Sequence, residues 1–407
     1  MTIASPAPPS PHTALPTVVG VTLLVQALAS MSAILPSAIA PELAAAHGVA
    51  GSLIGLQVSC IYIGAMMTSV IGGAVVRRYG ALRCSQLALL LAATGGLLTA
   101  IPELVAVAFG AFFVGLGYGL TNPPSSHMLM KVTTATNRNL VFSIKQTGVP
   151  LGGVLAGLAG PPLALALGWQ MALICGAGVA LLVMVMISPF RDHWDHDRDR
   201  SAGLRSNPLR DAKIVWQNSG LRAISLAAFT FSAMQVAIST YTVTLLVSDM
   251  DFSLIAAGGV LAVLQVAGVG GRVLWGWLAD RSRNPGAVLI LITLVTCGAA
   301  LAMALLSAAT PAPLVYLIFG VMGLTAVGWN GVYLAEVARL APPGLIGSAT
   351  GSSMVVTYAG VMLGPAAIAG LYGLVGSYTL TFALFAIVPL TGLIFVVQAR
   401  KAGQSKP

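Results

Sequence analysis

The chain has 407 residues, of which 57% are hydrophobic and only 8% charged, with a net charge of +9 and a mean hydropathy of +0.91. Such a composition excludes a water-soluble globular protein, and it leaves a polyanion-binding surface open only if the basic residues cluster to form one.

A membrane-spanning helix needs about 20 mostly apolar residues. Stretches of that kind follow one another at 16–39, 51–76, 82–101, 104–130, 140–161, 169–190, 221–247, 253–279, 286–308, 313–339, 347–372 and 376–398. In hydrocarbon every backbone N–H and C=O must be paired internally, and none of these runs alternates with period two, so each is a helix and a barrel is excluded. The expected fold is an all-α membrane protein of twelve transmembrane helices. Residues 1–16 are rich in Pro and Ser, lack a basic stretch and run into a full-length span, so no signal peptide removal is expected. Cys60, Cys84, Cys175 and Cys297 fall inside spans at no metal-like spacing, which reads as small packing residues without disulfides.

The basic residues mark topology. Arg77, Arg78 and Arg83 lie between helices 2 and 3, Lys131 and Arg138 between 4 and 5, Arg281 and Arg283 between 8 and 9; Arg339 closes helix 10, and Arg400, Lys401 and Lys406 form the tail. The alternate loops, around 40–50, 101–104, 161–169, 247–252, 307–314 and 373–377, contain no Lys or Arg. Positive charge accumulates on the cytoplasmic side, so both termini are expected there, and the basic balance reports orientation rather than a nucleic-acid partner.

A polar segment, 191–219, separates an N-terminal six-helix bundle (1–190) from a C-terminal one (220–407). Its run Asp192-His193-Trp194-Asp195-His196-Asp197 offers metal-type ligands, but mixed charge of this kind reads first as a solvated cytoplasmic linker. The two halves echo one another. Gly73-Ala-Val-Val-Arg77-Arg78-Tyr-Gly80 stands against Gly276-Trp-Leu-Ala-Asp280-Arg281-Ser-Arg283. Gly115-Leu116, Asn122 and Lys131 stand against Gly323-Leu324, Asn330 and Arg339 at one constant offset.

At these residues the chain resembles the major facilitator superfamily, whose loop between helices 2 and 3 carries G-x-x-x-D-R/K-x-G-R/K-R/K with a degenerate copy after helix 8. The second copy keeps Asp280 and Arg281; the first has Arg77 where the family has its Asp, so the gating ion pair assigned to that Asp has no counterpart at that position. The resemblance implies two pseudo-symmetric bundles with a substrate site between them near the bilayer midplane and alternating access about it.

Ionisable residues within a span are costly and ask for a function. Arg272 lies eight residues before Asp280, about 12 Å into helix 8. Its setting, Gly270-Gly271-Arg272-Val-Leu-Trp275-Gly276-Trp277, is similar to helix 8 of the monocarboxylate and oxalate/formate branches, where the resemblance makes this Arg the carboxylate ligand. Independently, a guanidinium holds a carboxylate with two parallel hydrogen bonds and stays charged; the competing reading is an interhelical structural pair. Lys145, in Ser143-Ile-Lys145-Gln146-Thr147-Gly148, either faces Arg272 across the seam, as the resembled packing of helices 5 and 8 implies, or snorkels to the headgroups. Polar residues on the helices that line the cavity in this fold complete the expected pocket: Gln26 and Ser30, Tyr118 and Asn122, Gln235 and Tyr241, and Trp329, Asn330 and Tyr333. Coupling or gating candidates are Glu336, whose bland reading is an ion pair with Arg339 or Arg281, and His127, Asp280 and Arg281.

The expected function is secondary transport of a small organic anion, a mono- or dicarboxylate, proton-coupled or by anion exchange, in a bacterial inner membrane. Rivals are a proton-coupled multidrug exporter and an inorganic anion carrier; Gly148-Val-Pro150-Leu-Gly152-Gly153 overlaps the exporters' helix 5 motif only in part. No P-loop, conventional metal site or nucleophile pair stands out in the spans, so neither an enzyme nor a cofactor is expected, and the chain is read as a monomer in the bilayer.

Overall fold

In the computed structural model the described residues are 11–134, 137–201, 203, 213, 215–342 and 346–404. They contain twelve helices long and apolar enough to cross a membrane: α1 (Leu15–Ala38), α2 (Gly51–Tyr79), α3 (Ala81–Thr99), α4 (Leu104–Val132), α5 (Ile144–Leu167), α6 (Trp169–Trp194), α7 (Ser219–Met250), α8 (Leu254–Ser282), α9 (Pro285–Leu305), α10 (Ala312–Leu340), α11 (Ala349–Val375) and α12 (Tyr378–Ala402). Large apolar side chains such as Val105, Leu182, Val273 and Leu301 are more than half exposed on their outer faces. That arrangement is unfavourable in water and suits a helix wall set in lipid.

The first six helices pack chiefly on one another, through α1 on α5, α2 and α3 on α4, and α3 on α6; the last six do the same, through α7 on α11 and α12 and α8 on α10. Glycine allows the closest of these approaches. A Cβ at Gly115 would overlap the Ile61 carbonyl, and one at Gly323 would overlap the Leu264 carbonyl, so α4 lies backbone to backbone on α2 as α10 does on α8.

The two sets meet along α5 with α8 and α2 with α11. At the end that lacks basic loops they share one apolar core, in which Ile39, Leu43 and Ile54 pack with Leu246, Met250 and Tyr378. At the basic end each set has a core of its own, one around Val76, Met128 and Leu129 and another around Trp275, Val337 and Leu340. The sets are thus fastened at the neutral end and separate at the basic end.

The first part of the polar linker is docked, contrary to its reading as a freely solvated segment. Helix α3 starts after Gly80, which has φ +99° and no side chain with which to cap. The cap comes from the linker: Asp195, fully buried, accepts from the Leu82 N–H at 2.7 Å, the Arg83 N–H at 3.1 Å and Arg83 Nη1 at 3.1 Å. A carboxylate belongs at a helix N-terminus because the exposed N–H groups and the helix dipole both favour it. Asp197 accepts from Lys131 Nζ at 2.6 Å and pairs with His127 Nε2 at 2.8 Å, and the Asp199 N–H bonds the Arg77 carbonyl. Asp195, Asp197 and Asp199 of the linker thus all contact the basic end of the N-terminal set.

Candidate functional site

Three helices are irregular where they approach the seam, and prolines account for two of them. Around α5 the helical turns are interrupted at Thr147, between Arg138–Gln146 and Gly148–Leu167. Pro150 has no N–H to offer the carbonyl four residues earlier, so the Gln146 oxygen is released from the helix. In α4 the helix breaks after Gly119 and restarts at Asn122, and here Pro123 leaves the Gly119 carbonyl free to accept from Ser69 Oγ at 3.3 Å. Helix α10 widens into a π-helical turn over Gly323–Val327, whose Leu324 carbonyl accepts from Trp275 Nε1 at 2.7 Å.

The released Gln146 carbonyl and the Val327 carbonyl orient Arg272. Its Nη1 donates to the Gln146 carbonyl at 2.8 Å and its Nε to the Val327 carbonyl at 3.4 Å, so α8 is tied to α5 across the seam. Lys145 is 2% exposed and does not snorkel. Its Nζ donates to Gln26 Oε1 at 2.8 Å, to Gln146 Oε1 at 3.3 Å and to Asn122 Oδ1. Gln146 thus joins the two cations, offering its backbone to one and its side chain to the other. Among the described residues neither cation has a carboxylate partner. Gln26 also keeps a buried Nε2 that donates to nothing. The polar groups left over here are N–H donors, the complement of an anion.

Beside the cations stands a wall of tyrosines from three helices. Tyr62 of α2 meets Tyr118 of α4 edge-on at 5.8 Å and lies 6.5 Å from Tyr358 of α11. Tyr118 is close enough to Arg272 to interact with its charge, and Tyr358 contacts Asn122, the partner of Lys145. The adjoining cavity, about 40 Å³ in volume, is bounded by Tyr62, Tyr118, Ser30, Gln235, Ser239 and Gln265 among others.

Of the expected pocket residues, Ser30, Tyr118 and Gln235 line this cavity, while Lys145, Gln26 and Asn122 form a hydrogen-bonded cluster that meets Arg272 through Gln146. Trp329 and Asn330 stand behind the cavity, donating to Gln235 Oε1 at 2.9 and 3.2 Å. Two expected pocket residues lie elsewhere. Tyr241 is fully buried at the neutral end, where its hydroxyl donates to the Ser52 and Pro365 carbonyls and fastens α7 to the other set. Tyr333 bonds Ser353 and Thr357 inside the C-terminal core. The coupling candidates sit at the basic end: Glu336 is buried in a two-pronged pair with Arg339, His127 is held by Asp197, and Asp280 and Arg281 are exposed. Residues missed from sequence are Gln146, Tyr62 and Tyr358. Pro150, four residues on, was the available signal for Gln146; the tyrosines carried none.

Comparison with known proteins agrees with this architecture. The chain is 26% identical, over 74% of its length and 73% of the relative's, to the 3-(3-hydroxy-phenyl)propionate transporter of Escherichia coli (strain K12). It is 21% identical, over 73% of its length and 69% of the relative's, to the benzoate transport protein of Acinetobacter baylyi. A shorter match, 33% identical over 44% of the chain and 42% of the relative, is to a probable nitrate/nitrite transporter of Mycobacterium tuberculosis. Among solved structures, a peptide transporter POT in complex with sulfate superposes with a TM-score of 0.77 at 15% identity, covering 95% of each chain. An inward-facing bacterial homolog of the lysosomal transporter Spinster gives 0.71 at 14% identity over 96% of each. Residues 22–365 match the Major Facilitator Superfamily, and this multi-pass membrane protein belongs to that family of transporters.

Proposed function

We propose that the chain carries a small organic anion across the membrane, and that its favoured cargo is an aromatic monocarboxylate. The observation that carries this reading is the pair of cations, Lys145 and Arg272, joined through Gln146 with no carboxylate partner among the described residues. Charges inside a membrane protein are costly unless neutralised, and a visiting carboxylate supplies the missing charge. The guanidinium edge not used by Gln146 and Val327 takes the carboxylate, and the wall of Tyr62, Tyr118 and Tyr358 offers ring edges and faces to an aromatic body. The named cargoes of two relatives, 3-(3-hydroxy-phenyl)propionate and benzoate, are of this class.

In this reading bundles 1–190 and 220–407, joined by the linker 191–219, rock about the seam, with both termini and the basic loops in the cytoplasm. The arrangement fastened at the neutral end and parted at the basic end then corresponds to an inward-facing state. The nitrate-type relative favours a second cargo, a small inorganic anion, for which the tyrosines have no use.

Uptake of radiolabelled benzoate into proteoliposomes, corrected for empty liposomes, tests the reading. Uptake is expected to be competed by 3-phenylpropionate more strongly than by nitrate. Arg272→Gln is expected to lower it at least tenfold, the equivalent of one charge-assisted hydrogen bond of about 1.5–3 kcal/mol. Undiminished uptake in Arg272→Gln refutes the site, and stronger competition by nitrate selects the inorganic cargo.

A further inference from the structure

Resting on that reading, we infer that Lys145 is the proton site that couples transport, taking up one proton with each monocarboxylate and releasing it with the cargo. The first observation is a census of acids. Among the described residues the carboxylates stand away from the cleft: Glu42 and Glu103 in or beside the neutral-end loops, Asp249 and Asp251 at the end of α7, Asp280 at the end of α8, the linker acids at the basic end, and Glu336 bound to Arg339. The histidines His47, His127, His193 and His196 are also outside it. Of the groups on the elements packed around Lys145, namely Gln26 of α1, Tyr118 and Asn122 of α4, Gln146 of its own segment, Arg272 of α8 and Tyr358 of α11, none is a carboxylate. The other cation is an arginine, which keeps its proton at any pH of interest. Among the described residues of the cleft, Lys145 is the cation able to gain and lose a proton.

The second observation is how Lys145 is held. Its three acceptors are neutral amide oxygens of Gln26, Asn122 and Gln146, which match the three N–H bonds of the ammonium, leave the neutral amine with two, and supply no counter-charge. Arg272 is near enough to repel it. A carboxylate arriving between them removes that repulsion and replaces it with attraction, so anion and proton each raise the other's affinity, and by linkage the two effects are equal.

Charge counting gives the same pairing. With Lys145 neutral and the cleft empty, the site carries one positive charge, that of Arg272. With Lys145 protonated and a monocarboxylate bound, two positive charges and one negative again leave one. Both legs of the cycle then move a seam of identical net charge, whereas an anion alone or a proton alone changes it by a full unit in a region where charge is expensive. The step is a proton binding the Nζ lone pair from water on one side and leaving to water on the other; no bond of the cargo changes.

Calorimetric titration of the purified full-length chain with benzoate, in two buffers of different ionisation heat, reads the protons taken up per anion bound. Benzoate is fully ionised above about pH 6, so uptake there belongs to the protein. In the wild type we expect uptake rising towards one proton as pH increases, and a Kd that weakens by up to about tenfold per pH unit on the alkaline side. Lys145→Arg, a cation that does not release its proton, and Lys145→Gln, which never gains one, are both expected to bind benzoate with no proton uptake and no pH dependence. Undiminished uptake in either variant, or wild-type binding without uptake anywhere between about pH 6 and 9, overturns the inference while leaving the anion site standing. Absence of wild-type binding to benzoate, or unchanged binding in Arg272→Gln, overturns the site reading and the inference with it.

Discussion

Arg272 Nη1 on α8 donates to the Gln146 carbonyl at 2.8 Å, and that carbonyl is free because residue 150 is a proline. A single missing N–H thus creates the link between the two helix sets at the depth of the cleft. Pro150→Ala restores the donor, and the regular helix gains up to about 3 kcal/mol of intrinsic propensity. The expected outcome is an unchanged or raised melting temperature with benzoate affinity lowered about fivefold, the equivalent of one net hydrogen bond. Calorimetry and a thermal melt on the same sample check both halves of the statement; equal affinity would show that Arg272 needs no help from Gln146.

The tyrosine wall sets the second expectation. Tyr358 contacts Asn122 and stands across from Tyr62, so it touches both the cation network and the ring space. Tyr358→Ala is expected to lower benzoate affinity about tenfold, an aromatic contact plus buried ring area, while nitrate, which has no ring to place, changes less than about twofold. Parallel competition curves against labelled benzoate read the ratio. A loss shared equally by both anions would make Tyr358 a packing residue only.

Much of this was legible in the chain because membrane folding is governed by strong, local rules. Twelve apolar runs give twelve helices, and the constant offset relating Gly115 to Gly323 returns as the same backbone contact, α4 on α2 and α10 on α8. Arg272 and Lys145 stood out since a charge in an apolar run is expensive wherever it points. Pointing itself was not legible. Tyr241 and Tyr333 sit on helices expected to line the pocket yet turn into packed cores, and Tyr62 and Tyr358 come from helices 2 and 11, which contributed no expected pocket residue. Likewise Asp195 read as one acid in a solvated run, because nothing in its neighbourhood announces a helix N-terminus more than a hundred residues earlier in the chain.

Glycine at the repeat-related contacts is expected to be intolerant of even a methyl group. A Cβ at Gly115 or Gly323 meets backbone, not a movable side chain, so the helices must separate. Gly115→Ala and Gly323→Ala are each expected to cost about 1–3 kcal/mol as overpacking, whereas Gly73→Ala or Gly331→Ala, with no atom in reach of the added carbon, leave stability unchanged or slightly raised. Apparent melting temperatures of the four purified variants provide the comparison, and equal melting of all four would refute the close approach.

The Asp195 cap should be among the larger single contributors to the basic end of the N-terminal set. Asp195→Ala leaves the Leu82 and Arg83 N–H groups without their acceptor and leaves Arg83 with only the exposed Asp192 at 3.7 Å, at a cost of about 1–3 kcal/mol. A lower melting temperature and faster tryptic cleavage after Arg191 or Arg198 are expected, with benzoate affinity within about twofold of wild type because the cleft is remote. Asp195→Asn, which keeps an acceptor oxygen, should recover part of the loss; no recovery would assign the effect to charge against the α3 dipole instead.

The neighbouring acid gives the linker a defined response to pH. Partial burial works to raise the pKa of Asp197, but the hydrogen bonds and charges of Lys131 and His127 outweigh it and leave the carboxyl below its ordinary value of 3.8. A carboxylate depressed on folding stabilises the docked linker above its unfolded pKa, and that contribution disappears as pH falls through the folded one. Docking is therefore expected to be constant from neutrality down to about pH 5 and to weaken below the ordinary carboxylate range. Hydrogen exchange of the amides in 195–199, corrected for intrinsic rates, should accelerate over that acid window in the wild type. In Asp197→Asn the same amides should exchange fast already at neutral pH and show no acid step. An acid step that persists in the variant would move the response to Asp195 and its cap on α3.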